Sequence, residues 1–141
     1  MASFNKHQQF VENLGKAVHN FTSDATCTVT VYLTTNASAP VATNSILGDL
    51  TTISPYTNLS SRVVTGITWE HTTGTVHMTA TDLVLTASGA VSTFRWVGLY
   101  DDDPTSPADP LIGYYDYASD VTLANLETFT IDFATDILTL V

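Results

Sequence analysis

"VSTFRWVGLYD", residues 91 to 101, decides the fold. It is a nearly continuous apolar run of strand length, rich in β-branched and aromatic residues, and short of the ~20 residues that a membrane span needs. Such a run is buried on both faces, so it is expected as the central strand of a sheet. "CTVTVYL" (27–33), earlier in the chain, alternates Val29, Val31 and Leu33 against Thr28, Thr30 and Tyr32, the pattern of a strand with one buried face. "RVVTGITWEHTTGTVHMTA" (62–80) reads as a hairpin turning at Thr73-Gly74, which sets Thr72 opposite Thr75 and Glu70 opposite His77. "TDLVLTA" (81–87), "PLIGYYDY" (110–117), "VTL" (121–123), "ETFTIDF" (127–133) and "ILTLV" (137–141) supply further strands, with "ASD" separating the second and third of these.

The joints between these runs are rich in Asn, Ser, Pro and Gly. "TTNASAPVATNS" (34–45) and "SPYTNLSS" (54–61) read as loops, and "SILGDLTTI" (45–53) has room for one helical turn. The single good helix pattern is "SFNKHQQFVENLGKAVHNF" (3–21), where Phe4, His7, Phe10, Val11 and Leu14 recur at helical spacing, Ser3 is placed to cap and Gly15 to stop. The fold class expected is therefore mainly β: an antiparallel sandwich or jelly-roll-like domain over 22–141, preceded by a short helical arm over 1–21.

Composition narrows the function. The chain of 141 residues favours one domain. Only 13% of residues are charged, about half the usual share, and Thr and Ser stand in their place. Four Lys and Arg against fourteen Asp and Glu leave a net charge of −10. That balance lacks the positive footprint that nucleic acid requires and is repelled by anionic membrane surfaces, so neither is an expected partner. The start of the chain lacks the apolar core of a signal peptide, and cytoplasmic synthesis is expected, with the sequons "NFT", "NAS" and "NLS" unused. Cys27 has no second cysteine to pair with and no nearby base, so it reads as a small buried residue.

Chemistry concentrates in "YDDDPTSPADPLIGYYDY" (100–117). Calcium loops supply carboxylates at alternate positions with a glycine at the turn. Asp101 and Asp103 alternate and Asp109 can return to them, which makes these three the candidate calcium ligands; Pro104 follows where a glycine is wanted, and no bidentate Glu comes next. The favoured reading is a solvated acidic connection stiffened by Pro104, Pro107 and Pro110, with no cofactor. His71 and His77 form the closest histidine pair, but the hairpin register sends them to opposite faces, poor geometry for zinc, and leaves Glu70 as the cross-strand partner of His77. No nucleophile motif, phosphate loop or paired-cysteine site occurs, and no catalytic residue is expected. Phe4, Phe10, Val11 and Leu14 on the helix and Tyr114, Tyr115 and Tyr117 in the strand are the candidate interface residues. The helical stripe either packs on its own domain, the favoured reading, or docks on another chain. The tyrosines, with Trp96, are core, interface or a platform for sugar rings.

Three segments, "SFNKHQQFVENLGKAVHNF", "TASGAVSTFRWVGLYDDD" (86–103) and "DPLIGYYDYASDVTLANLETFTIDF" (109–133), resemble, in order, a group of tailed-bacteriophage virion proteins, the head decoration or cement proteins. The resemblance implies a β-rich homotrimer on the outer capsid surface that bridges subunits of the major capsid protein, with the segment from Phe4 to Phe21 as a candidate contact and no catalytic residues. The acidic "DDDPTSPADP" loop departs from the group's pattern. The alternative is a tail- or fibre-associated module that binds glycans or a receptor through the tyrosines, and a third class is a small hydrolase.

Overall fold

The computed structural model describes residues 3–141. Among them the chain forms β1 (Asn5–Lys6), α1 (Gln8–Gly15), β2 (Val29–Thr34), β3 (Thr68–Thr72), β4 (Thr75–Thr79), β5 (Leu83–Thr86), β6 (Val91–Asp101), β7 (Leu111–Leu123), β8 (Thr128–Ile131) and β9 (Leu138–Leu140), with single 3-10 turns at Asn36–Ser38 and Leu47–Asp49. The expected mainly β, sandwich-like fold with one short helix is what forms. β6 lies inside a four-stranded antiparallel sheet of order β1-β7-β6-β2, as its apolar run demands. Two smaller antiparallel sheets, β3-β4-β9 and β5-β8, supply the opposing layer. Val29, Val31 and Leu33 of β2, Phe94, Val97 and Leu99 of β6, and Ile112 and Tyr115 of β7 share one buried cluster with Met78, Leu85, Ile131 and Leu138 from the smaller sheets.

The other face of the large sheet is covered as well. Tyr32, Tyr100 and Leu111 form a second cluster, closed by Leu47, Leu50 and Tyr114. This corrects the reading of β2 as a strand with one buried face: all six of its residues are buried. The polar appearance of Thr28, Thr30 and Tyr32 hid the second layer, because a tyrosine buries a large ring whatever its hydroxyl does. The close fit is visible at Gly98, opposite Tyr32 in the register, where a Cβ would stand 2.0 Å from the Tyr32 ring. The outer edge of β2 is closed by the chain itself: Ile53 N donates to Leu33 O, Val31 N to Arg62 O and Val64 N to Val29 O, so no free edge is left there to template pairing with another chain.

The β3–β4 hairpin has the expected register, Thr72 opposite Thr75 and Glu70 opposite His77. Thr73 (φ 49°) and Gly74 (φ 86°) both take the left-handed conformation that a tight two-residue hairpin turn needs. Three expectations need correction. "PLIGYYDY" and "VTL" are one strand, β7. Between the Phe94–Val121 and Trp96–Asp116 pairs lie one residue of β6 and four of β7, so "ASD" lies in a bulge with Ala118 at φ 67°. The helix begins at Gln8 with His7 at its N-cap, not at Ser3, because Asn5 and Lys6 pair as a strand with Tyr114 and Gly113 of β7. The described part of the 1–21 segment, residues 3–21, is also no appendage: besides that strand, it places Phe10 and Phe21 in the main core.

Candidate functional site

The acidic loop was the first candidate, and its carboxylates do separate jobs. Asp101 is the last residue of β6 and is buried; its Oδ2 accepts from Nδ1 of His19 at 2.9 Å. Asp103 accepts from the backbone N–H of Thr28 and, at 3.2 Å, from its hydroxyl, clamping the loop to the start of β2. Asp109 sits at φ 49° at the far end of the turn, and its carbonyl accepts from Leu47 N at 2.9 Å. Burial, followed by the neighbouring Asp109 carboxylate, pushes the Asp102 carboxyl above the ordinary range. Asp101, Asp103 and Asp109 are not brought together as a ligand set, and no group of three or more His, Cys, Asp or Glu among the described residues is placed to hold a metal ion. The physical reason is that a carboxylate beside a loop finds backbone N–H groups, and a hydrogen bond to one of them is favourable without any ion.

That use of acids is general here. Asp24 accepts from Gly66 N (2.7 Å) and Ile67 N (3.0 Å), Asp49 from Ser45 N (2.7 Å) and Ile46 N (3.2 Å), and Asp82 from Phe133 N (2.9 Å). Asp116, Glu127 and Asp132 close local turns in the same way. Much of the charge of −10 is therefore loop scaffolding. His77 is engaged similarly: Glu70 stands opposite it in the register as expected, and its Nδ1 lies 3.1 Å from Asp136, a carboxylate that the hairpin pattern did not point to. His71 stands opposite Val76, one position away from the Glu70–His77 pair and on the other face of the hairpin.

His19 and Asp101 form a pair that sequence reading missed, since 82 positions separate them. Both side chains are sealed from solvent. His19 stacks on Phe21 at 5.3 Å and 11° and tilts against Phe10 at 5.3 Å, and its Nε2 has no protein partner. Cys27 lies beside Asp101; burial first, then the Asp101 carboxylate, drive its thiol far above the ordinary range, so the sulfur is held as a protonated, non-nucleophilic group. An imidazole, a carboxylate and a thiol thus meet, but in a closed core. The arrangement fastens the chain after α1 to the end of β6.

The interface candidates divide by burial. Phe10 and Tyr115 belong to the core, and Phe4 and Leu14 pack against it. Phe4 lies 4.9 Å from the Tyr115 ring, and Tyr114 lies 5.0 Å from His7 and 5.9 Å from Trp96. The helical stripe therefore packs on its own domain. The reason is size: a helix of eight residues is held by tertiary packing of its apolar face, not by propensity. Val11, at 49%, and Tyr117, at 51%, are the two that remain open to solvent. Tyr117 is also the one that builds a cavity. With Val97, Tyr115, Phe129, Thr130, Ile131 and Asp132 it lines a space of about 300 Å³ where the sandwich opens between β7 and β8. The Tyr117 and Phe129 rings stand at 73° with centroids 5.2 Å apart, forming two walls, and Val97 and Ile131 belong to the core beneath. β1 pairs with only Gly113 and Tyr114, so β7 passes this cavity without a strand on its outer edge.

The chain matches no protein-family model, no curated protein and no solved structure to which it was compared. No helix among the described residues is long and apolar enough to cross a membrane.

Proposed function

We propose that the protein is a capsid decoration protein, a homotrimer that binds the outside of an assembled phage head and stabilises the lattice of the major capsid protein. The observation that carries this reading is the ordered resemblance of residues 3–21, 86–103 and 109–133 to that group. The build of the domain is in keeping with it. The large sheet is covered on both faces, the helical arm is tied down, and carboxylates clip the loops, so little conformational freedom remains to be lost when the surface docks.

The physical task would be multivalent clamping. Three modest contacts on one trimer bind far more tightly than one contact alone when the geometry lets all three engage. A protein that binds the mature lattice in preference to the immature one stabilises the mature form by mass action. The test is uptake: heads stripped of the protein are mixed with purified trimer and sedimented, with unassembled capsid protein as the control. Saturable co-sedimentation with heads and none with free subunits is expected. A protein that is monomeric and stays in the supernatant with heads overturns the reading.

A further inference from the structure

The cavity between β7 and β8 is mainly apolar and aromatic, with Thr130 and Asp132 also in its lining. Tyr117 and Phe129 form perpendicular walls, Tyr115 lies behind them, and Asp132 contributes the single charged side chain. The Tyr115 phenol is pushed above its ordinary range by burial first and by the charge of Asp132 second, which places that carboxylate within electrostatic reach of the aromatic group. Asp132 is exposed, and its Oδ1 accepts the N–H of Ala134 at 2.7 Å. A carboxylate has two oxygens and about four lone-pair sites, so acceptor capacity remains for a ligand.

Aromatic faces attract cations through the ring quadrupole, and a neighbouring carboxylate adds a full opposite charge. The chain already uses this combination on its own β6 and β7. Arg95 donates through Nε and a terminal nitrogen to the two oxygens of Asp116, at 2.8 and 2.9 Å, while its guanidinium lies 5.6 Å from the Trp96 ring. Arg62 lies 3.7 Å over Tyr56. The Tyr115–Tyr117–Phe129–Asp132 group has the same ingredients and lacks the cation. The chain has four Lys and Arg. Lys16 pairs with Glu12, Arg62 and Arg95 are placed as above, and Lys6 lines a different depression beside Asp136.

We propose that this cavity is a binding site for an arginine side chain of a partner protein, its aliphatic stem lying between Tyr117 and Phe129 and its guanidinium meeting Asp132. Arginine suits the site better than lysine. Its planar group stacks on rings and offers several N–H donors to a carboxylate, whereas an ammonium is more strongly hydrated. The net charge of −10 favours approach of a basic partner over an acidic one. The volume, about 300 Å³, is at the lower end for small-molecule pockets and admits one side chain. The proposal deepens the shell-binding reading by naming the contact chemistry, yet it is tested on the isolated protein, so either can fail without the other.

The experiment is a titration of the full chain, labelled with ¹⁵N, with N-acetyl-arginine methylamide, followed by amide chemical shifts. The uncharged citrulline analogue and a methyl glycoside serve as comparators. Saturable shifts at Tyr117, Phe129 and Asp132 are expected with the arginine compound and not with citrulline. Asp132→Asn keeps an oxygen for the Ala134 N–H and is expected to weaken binding about threefold or more; Tyr117→Ala, at an exposed ring, is expected to do the same. The proposal is overturned by absence of saturable shifts at these residues, by equal binding of citrulline, by preference for the glycoside, or by affinity unchanged in both variants.

Discussion

His7 should make the fold sensitive to mild acid. The side chain is fully buried between α1, the Val41 loop and the back of the large sheet. Its Nδ1 is 3.1 Å from the Val41 carbonyl, which can only accept, so Nδ1 carries the proton. Nε2 then accepts from the Tyr32 hydroxyl at 3.2 Å. A second proton would put a charge in an apolar setting and force the hydroxyl to reverse. Burial accordingly lowers the His7 pKa from 6.5 to about 4, with the Val41, Asn44 and Ala42 backbone groups and the Asp49 charge pulling the other way. The unfolded chain takes up a proton near pH 6.5 and the folded chain only near 4. Stability is therefore full above pH 6.5 and drains away as pH falls toward 4. The total is about 3 kcal/mol, with about 2 kcal/mol already lost at pH 5. The assay is urea denaturation at pH 7.5 and 5.0 for the native chain and for His7→Asn, which keeps a donor for Val41 and cannot titrate. The native chain should lose about 2 kcal/mol more than the variant between the two pH values, a double difference in which the other titrating groups cancel. Equal losses in both proteins, or a His7 imidazole that titrates near 6.5 in the folded state, would refute this account.

Other features make their own predictions. Gly98→Ala sets a methyl against the Tyr32 ring between two covered layers, and overpacking there should cost about 1–3 kcal/mol in urea unfolding; an unchanged midpoint would show that the back layer yields easily. Asp24→Ala removes the acceptor shared by the Gly66 and Ile67 N–H groups, and hydrogen exchange at those two amides should quicken selectively, with a stability loss of about 1–3 kcal/mol. Cys27 should resist alkylation at pH 8 until the protein unfolds, since its thiol is buried and its pKa raised; prompt labelling of the native protein would contradict the position given to it.

What could be read from the sequence was what neighbouring residues determine. The Thr73-Gly74 hairpin, the central place of Val91–Asp101 and the burial of Cys27 follow from alternation, turn chemistry and apolar runs within a few positions. The helix start was missed because Asn5 and Lys6 answer to Gly113 and Tyr114, a demand that helical spacing does not register. The second buried face of β2 was missed because Tyr32 and its threonine neighbours count as polar until something covers them, and the cover over Tyr32 comes from Leu47 and Leu50, outside the strand's own neighbourhood in sequence. The three tyrosines looked alike in sequence. Alternation along β7 sends Tyr114 to the back layer and Tyr115 and Tyr117 toward the core face, and the bulge leaves Tyr117 at the open rim. The His19–Asp101 pair and the aromatic cavity around Tyr117 both depend on which strands become neighbours. Period-two patterning does not encode strand order.

The pairing of β1 with β7 also dictates a schedule. During synthesis Asn5 and Lys6 emerge on the order of a hundred residues ahead of Gly113 and Tyr114, an interval of roughly 5–20 s at ordinary elongation rates. β2 waits for β6 in the same way, and β4 for β9. Among the described residues only the β3–β4 and β6–β7 pairs join consecutive strands of one sheet, so most of the sandwich closes only after β6 to β9 have been made. Until then the apolar faces of β2 and α1 stand uncovered on a growing chain, open to contact with other chains in the same state.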